Sequence, residues 1–276
     1  KNIVNTIQAE QNKIIRNLDD HNLIVQGIAG SGKTSVALHR IAFLLYRINN
    51  LSSNNVLIFS PNKIFSEYIS NVLPELGEAN TLETTFSDYL SYFLKEYKNI
   101  ESFPHFISKY YKGDKYDIEI IRYKQSKEII KDLDNYINAF LKKFKVVNDI
   151  ELDKINEVSK EELNYLIKDK YSRFPLVERI DEASKYLSLK YYGSSGKRKT
   201  SIRKLIKDNI NVSLNIKDIY KDFFKSSYAK YKLEIKNTKV IGYDDGQLIS
   251  YLKGKLFGFP YNNYIKQVVI DEAQDY

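Results

Sequence analysis

Gly27-Ile28-Ala29-Gly30-Ser31-Gly32-Lys33-Thr34, near the start of this 276-residue chain, has the spacing G-x-x-x-x-G-K-[S/T] of a loop whose backbone wraps phosphate. It follows the strand-like run Leu23-Ile24-Val25 and precedes a helix-like run, the order such a loop requires. Glycines let the chain turn tightly, so that successive N–H groups point at phosphate oxygens. Lys33 is expected to reach the β and γ phosphates. The Thr34 hydroxyl is expected on Mg²⁺, with Ser35 beside it in the first helical turn. A helix starting near Gly32 adds the positive end of its dipole.

The chemical partner of that loop stands almost at the other end. Val268-Val269-Ile270 is a short buried-strand run, and Asp271-Glu272 follows at its carboxyl end, where open parallel sheets bind ligands. An aspartate there can hold Mg²⁺, directly or through water, and a glutamate beside it can orient or deprotonate an attacking water. Between the two motifs the first elements alternate. Thr6 to Leu18 reads as a helix, Leu23 to Gln26 as a strand, Lys33 to about Ile48 as a helix, Val56 to Phe59 as a strand, Asn62 to Leu73 as a helix and Thr81 to Phe86 as a third strand. Alternation of this kind predicts a parallel, three-layer α/β sheet.

Lys33 and Asp271 are 238 positions apart, far more than a phosphate-binding core needs. From about Ser87 to Lys236 the pattern changes to amphipathic helices, such as Lys124 to Phe144 and Ile202 to Asp208. Strand signals return at Val240-Ile241, and Asp245 to Lys253 reads as a helix before the acidic strand. We therefore expect a discontinuous α/β domain, residues 1–88 and 237–276, carrying a mostly helical insertion, residues 89–236. Charge follows the same division. Residues 91–240 hold 33 Lys and Arg against 22 Asp and Glu, and the remainder hold 10 against 13. The basic excess is densest from Lys190 to Lys207, where Lys197, Arg198 and Lys199 follow Tyr191 and Tyr192 with no acidic residue nearby in sequence. Two readings stand: a phosphate-tracking face with stacking aromatics, or a solvated lysine-rich surface.

The chain contains no cysteine and three scattered histidines, which excludes disulfides and thiolate metal sites and argues against protein-bound zinc. No run approaches the length of a membrane span, and the first residues show no secretory pattern, so a cytoplasmic location without a membrane partner is expected. The lack of any methionine, and an end one residue past Asp275, predict a piece of a longer protein.

The acidic motif reads Asp271-Glu272-Ala273-Gln274-Asp275. With Gly30-Ser31-Gly32-Lys33-Thr34 and His39-Arg40-Ile41-Ala42, it resembles superfamily 1 helicases of the UvrD/Rep class. Within that class Thr6-Ile7-Gln8-x-x-Gln11, Phe59-Ser60-Pro61-Asn62, Asn71 to Gly77 and Ile270 to Tyr276 look most like the HelD type, motors that bind RNA polymerase and help clear it of nucleic acid. The resemblance implies a RecA-like P-loop NTPase fold, ATP and Mg²⁺ as cofactors, and single-stranded or partly duplex DNA as substrate, with RNA polymerase as a further partner. By position Gln11 matches the adenine-reading glutamine, with Gln8 the neighbouring candidate. Arg40 matches an arginine near the nucleotide, its alternative being a solvent-facing helix position. Glu272 and Gln274 match the catalytic and coupling residues, alongside Lys33. Ser60, Asn62 and Lys63, and then Thr85 and Phe86, match two segments that touch the nucleic-acid strand. Both depart from the class: Ser60-Pro61-Asn62-Lys63 replaces Thr-Asn-Lys-Ala-Ala, and Ser87 stands where histidine is usual. The class also needs a second motor domain, so residues 1–276 alone are expected to bind nucleotide with little turnover.

Overall fold

The computed structural model describes residues 9–77, 79–113, 115–193, 197–235, 239–260 and 264–275. Along the chain run α1 (Ala9–Arg16), α2 (Lys33–Arg47), β1 (Val56–Phe59), α3 (Lys63–Glu75), β2 (Leu82–Thr84), α4 (Phe86–Phe93), β3 (Asn99–Ile100), α5 (Phe103–Lys112), α6 (Lys115–Lys124) and α7 (Lys127–Lys143). There follow β4 (Ile150–Glu151), β5 (Glu157–Val158), α8 (Lys160–Tyr165), α9 (Leu176–Tyr192), α10 (Lys197–Asp208), α11 (Ile216–Lys225), β6 (Val240–Ile241), α12 (Tyr243–Phe257) and β7 (Gln267–Ile270). The chain forms two compact units: Lys1–Tyr89 with Tyr261–Tyr276, and Leu90–Pro260.

The first unit is built on a parallel sheet in the order β2-β1-β7, with Val56 opposite Gln267 and Phe59 opposite Ile270. Side chains alternate across a strand. Val56, Ile58 and Val269 therefore share one face, where they pack with Leu38 and Ile41 of α2 and Ile69 and Leu73 of α3. The opposite face is covered less evenly. Tyr89 packs edge-on against Phe59, ring centroids 5.3 Å apart, while Val268 and Ile270 stay about half exposed. Among the described residues α2 and α3 cover the first face, and α4 reaches the second through Tyr89.

Two expectations change. Leu23 to Gln26 joins no ladder among the described residues, and Ile24 is 87% exposed. Hydrophobic character alone does not make a strand; it needs a partner edge, and among the described residues none pairs with the outer edge of β7. The second difference concerns the return from the helical region, expected at residue 237. Val240-Ile241 is a strand, but it pairs in parallel with Asn99-Ile100 inside the second unit. Helix α12 follows it there, buried through Leu248, Ile249, Leu252 and Leu256 and also through Asp244 and Ser250. A helix apolar or small on most sides belongs in the middle of a bundle. The contact boundary accordingly falls at Pro260, not at residue 237.

Apart from the short antiparallel β4–β5 pair, the second unit is otherwise helical, as its periodicity predicts. Its core gathers Leu163, Leu166, Ile180, Leu187, Ile202 and Ile206 from α8 to α10, and Tyr220, Phe223 and Phe224 of α11 are fully buried. Phenols find carboxylates: the buried Tyr123 donates to Asp132 at 2.6 Å and Tyr136 to Asp222 at 2.9 Å, and the half-buried Tyr251 to Asp134 at 2.7 Å. Each bond removes the cost of an unpaired hydroxyl in the interior.

Candidate active site

Helix α2 begins at Gly32, whose φ of +82° places it in the left-handed region that favours glycine. No side chain caps this end, and its first turn carries no acidic residue. The N–H groups there keep their hydrogen-bonding capacity for an anion, and the helix dipole adds to the attraction. Gly27 leaves room for the Ser31 side chain, which would have to rotate away from any larger residue. A Cβ at that position would lie 2.5 Å from the Ser31 hydroxyl. Ser31 N–H donates to the Ile28 carbonyl at 3.2 Å, which turns the loop, and Ile28, Ala29, Gly30 and Ser31 are all exposed on it.

Lys33 folds back onto this loop. Its ammonium donates to the carbonyls of Gly27 at 3.0 Å and Ile28 at 3.1 Å. These are ordinary surface hydrogen bonds, and a phosphate offers the same donors a charge-assisted alternative. Gln11 of α1 donates from its amide to the Ser31 carbonyl at 3.2 Å, so the glutamine does stand against the phosphate loop. Gln8 lies outside the described residues.

The two motifs meet. The Thr34 hydroxyl donates to the Asp271 carboxylate, 3.1 and 3.0 Å from its two oxygens. Asp271 reaches this point because its own N–H continues the β1–β7 ladder, donating to the Phe59 carbonyl at 3.0 Å. Burial pushes its carboxyl above the ordinary range, against the pull of the Thr34 hydroxyl, the Glu272 N–H and the Lys33 charge. The donor set suits Mg²⁺: two hard oxygens about 3 Å apart match the edge of an octahedron whose metal–oxygen distances are about 2.1 Å. Thr34 and Asp271 would hold the ion, which when bound neutralises phosphate charge.

Glu272 has a φ of +48°, uncommon for a residue with a side chain. The chain turns sharply there as it leaves β7, and Gln274 donates its side-chain amide to the Glu272 carboxylate. Base candidate and coupling candidate are thus in direct contact. Ser35 lies half-buried within the first turn of α2.

Arg40 is employed differently from either expectation. One guanidinium nitrogen donates to the carbonyls of Ile14 at 2.8 Å, Ile15 at 3.3 Å and Asn17 at 2.6 Å. It satisfies carbonyls at the end of α1, of which Ile14 also accepts from the Asn17 N–H at 3.4 Å. Burial lowers its pKa, while Asp20 raises it. Arg40 thereby fixes α1, which carries Gln11.

The strand-contact candidates are occupied by local structure. Ser60 is fully buried, so its side chain has no surface to offer. Asn62 accepts from the Phe65 N–H at 3.1 Å and starts α3. Thr85 both donates to Asp88 and accepts from the Asp88 N–H, starting α4. Phe86 stacks on Tyr89 at 6.5 Å. The Thr85-x-x-Asp88 spacing is a capping signal visible in the sequence. Beside it lies a groove of about 560 Å³ whose charged lining residues, Glu67, Glu83 and Asp88, are all acidic. The side chain of Lys63 is outside the described set.

In the helical unit the basic run acquires acidic partners from distant sequence. Lys190 pairs with Glu162 at 2.7 Å and Arg203 with Asp181 at 2.7 Å. Tyr192 donates to Asp153 and carries Arg198 over its ring at 4.6 Å. Arg198 is exposed and Lys199 half-buried on α10, and the side chain of Lys197 is not among those described.

Among the described residues no three acidic, histidine or cysteine side chains cluster as a metal site, and no helix is long and apolar enough to cross a membrane. Among curated proteins none matches the chain. The model of the UvrD/REP helicase N-terminal domain matches residues 7–276, from the glutamine helix to the end of the acidic motif. A phosphate loop joined by hydrogen bonds to an acidic strand end is what ATP-dependent motors of this type require, and the chain belongs to the UvrD/REP helicase family, with the RecA-like α/β fold that membership implies.

Proposed function

We propose that this chain binds Mg²⁺-ATP between its phosphate loop and Asp271, as the nucleotide-binding part of an ATP-dependent DNA helicase or translocase. The observation that carries this reading is the Thr34–Asp271 hydrogen bond, which joins residues 237 positions apart at the site where Mg²⁺ and the terminal phosphates belong. Lys33 exchanges its two loop carbonyls for phosphate oxygens, Gln11 stands ready at the adenine side, and Glu272, oriented by Gln274, acts on the attacking water. A titration with a fluorescent ATP analogue and Mg²⁺ tests it. Saturable binding by the native chain, weakened at least tenfold in Lys33→Ala with an unchanged melting temperature, is expected. Equal affinity in the two proteins would rule the reading out.

A second reading has an observation of its own. Ser60 is buried, Asn62 and Thr85 are engaged as helix caps, and the neighbouring groove is acidic, which disfavours a nucleic-acid strand against this unit. This supports a HelD-like ATPase that remodels RNA polymerase without opening duplexes. Retention on immobilised polymerase, measured beside strand separation, separates the two readings: polymerase binding without unwinding supports the second, and unwinding without polymerase binding the first.

A further inference from the structure

The helical unit contains a cavity of about 340 Å³ that the nucleotide chemistry does not use. Leu233, Ile235, Ile241 and Ile249 form its apolar walls, and Tyr97, Glu234 and Asp245 line its polar part. Lys124 and Tyr220 line it as well, and with Asp245 they belong to a buried ion cluster. Lys124, its side chain 9% exposed, is 2.6 Å from Asp245 Oδ1 and 3.1 Å from Asp244 Oδ2. The fully buried Tyr220 also donates to Asp245 Oδ1. Lys124 therefore faces two carboxylates and Glu234 adds a third negative charge, against which Lys217, its ammonium 4.5 Å from the Tyr97 ring centroid, is the second positive one, so the surroundings keep a negative excess.

Three acceptors remain. Asp245 Oδ2, the Glu234 carboxylate and the Tyr97 hydroxyl all belong to cavity-lining residues, and none has a hydrogen-bond partner among the described residues. Burial, with Asp245 and Glu96 nearby, pushes the Tyr97 phenol up to about 12, so it remains a neutral hydroxyl at physiological pH. A primary ammonium has three donors and no acceptor. An alkyl stem behind it would lie along the branched aliphatic walls, the division of apolar body and charged head that lysine-like molecules show. Carboxylates facing an apolar space gain most from a cation that also satisfies their lone pairs.

We propose that this cavity binds a primary alkylammonium group, supplied either by a free amine or by a lysine side chain of another molecule. The test is an NMR titration of the whole chain labelled at tyrosine, with n-butylamine as probe, n-butanol as its neutral counterpart and the peptide Gly-Lys-Gly as the lysine source. Saturable shifts of the Tyr97 signal are expected with n-butylamine, at an affinity at least tenfold above that for n-butanol. Leu233→Trp, which plugs a half-exposed wall, should weaken binding at least tenfold, and Glu234→Gln about threefold, with helical circular dichroism unchanged in both. Peptide binding as strong as that of the amine assigns the lysine source, and weaker peptide binding the free amine. Absence of saturable shifts, equal binding of n-butanol, or full binding by Leu233→Trp would overturn the proposal.

Discussion

The two units spend their polar groups in opposite ways. In the sheet unit the polar contacts at the centre are a hydroxyl on a carboxylate, a lysine on two exposed carbonyls and an uncapped helix end, all of which a charged ligand can displace. In the helical unit the polar contacts are locked in. Tyr220 is fully buried on Asp245, Lys124 lies between two aspartates, and Tyr136 is fixed to Asp222 beneath the ring of Phe223. Buried hydrogen-bonded pairs of this kind hold a core in place and leave only acceptors at the cavity, such as Asp245 Oδ2, for a ligand, whereas exposed, exchangeable contacts leave a whole site responsive. One unit is thus built to hold its own shape, and the other to be completed by what it binds.

The sharpest way to break this contrast is alkaline pH. Burial, followed by the charges of Asp245 and Glu96, pushes Tyr97 up to about 12, and burial with the Asp134 hydrogen bond does the same for Tyr251. Burial also raises Tyr123, Tyr136 and Tyr220, each with help from the carboxylate it bonds. All of these phenols lie in the helical unit. The unfolded chain releases phenol protons near pH 10, as expected of ordinary tyrosines, while the folded unit retains them. Stability is therefore intact below about pH 10 and is lost as the pH rises through the folded-state value of about 12. Helical circular dichroism and tyrosinate absorbance should change together in one cooperative step. Phenols that titrate gradually while the helices persist would show that the network is not locked.

Next in size is the core itself. Leu163→Ala, at a fully buried position of the helical unit, should cost about 2–5 kcal/mol in urea unfolding. A cost under 1 kcal/mol would mean that the site collapses around the missing atoms, contrary to a rigid interior. In the sheet unit, Arg40→Ala removes the donor that holds three carbonyls at the end of α1 and should destabilise that helix by about 1–2 kcal/mol. Amide exchange read at α1 checks this. Because α1 carries Gln11, nucleotide affinity should fall with it, and unchanged exchange would return Arg40 to a surface role. The smallest effect is expected at Ser126, whose hydroxyl accepts from the Glu128 and Ile129 N–H groups at the start of α7. Ser126→Ala should cost about 1 kcal/mol, seen as a lower urea midpoint with unchanged slope.

Much of the candidate site was legible because it depends on local order. The spacing from Gly27 to Thr34, with a helix behind it, dictates a turn and an uncapped helix start whatever surrounds them. The strand Val268 to Ile270 and the helices from Lys127 to Lys143 and Lys197 to Asp208 follow in the same way from hydrophobic period. Pairing was harder to read. Leu23 to Gln26 and Val240-Ile241 carry similar strand signals, yet the first finds no ladder and the second joins Asn99-Ile100, because strand formation depends on an available edge remote in sequence.

Charge behaves similarly. The run from Lys190 to Lys207 looks uncompensated along the chain, but Glu162 and Asp181 reach it across α8 and α9. Arg40 offers no signal that its partners are backbone carbonyls rather than a ligand or water. By itself, then, the sequence determined the phosphate loop, the acidic strand end and the helical character of what lies between, since each rests on contacts a few residues apart. Only the tertiary structure decided which strands pair, which charges are cancelled and where Arg40 points. Those outcomes depend on distances between groups far apart in the chain, and the 3.0 Å between Thr34 and Asp271 is the one such distance on which the proposed chemistry rests.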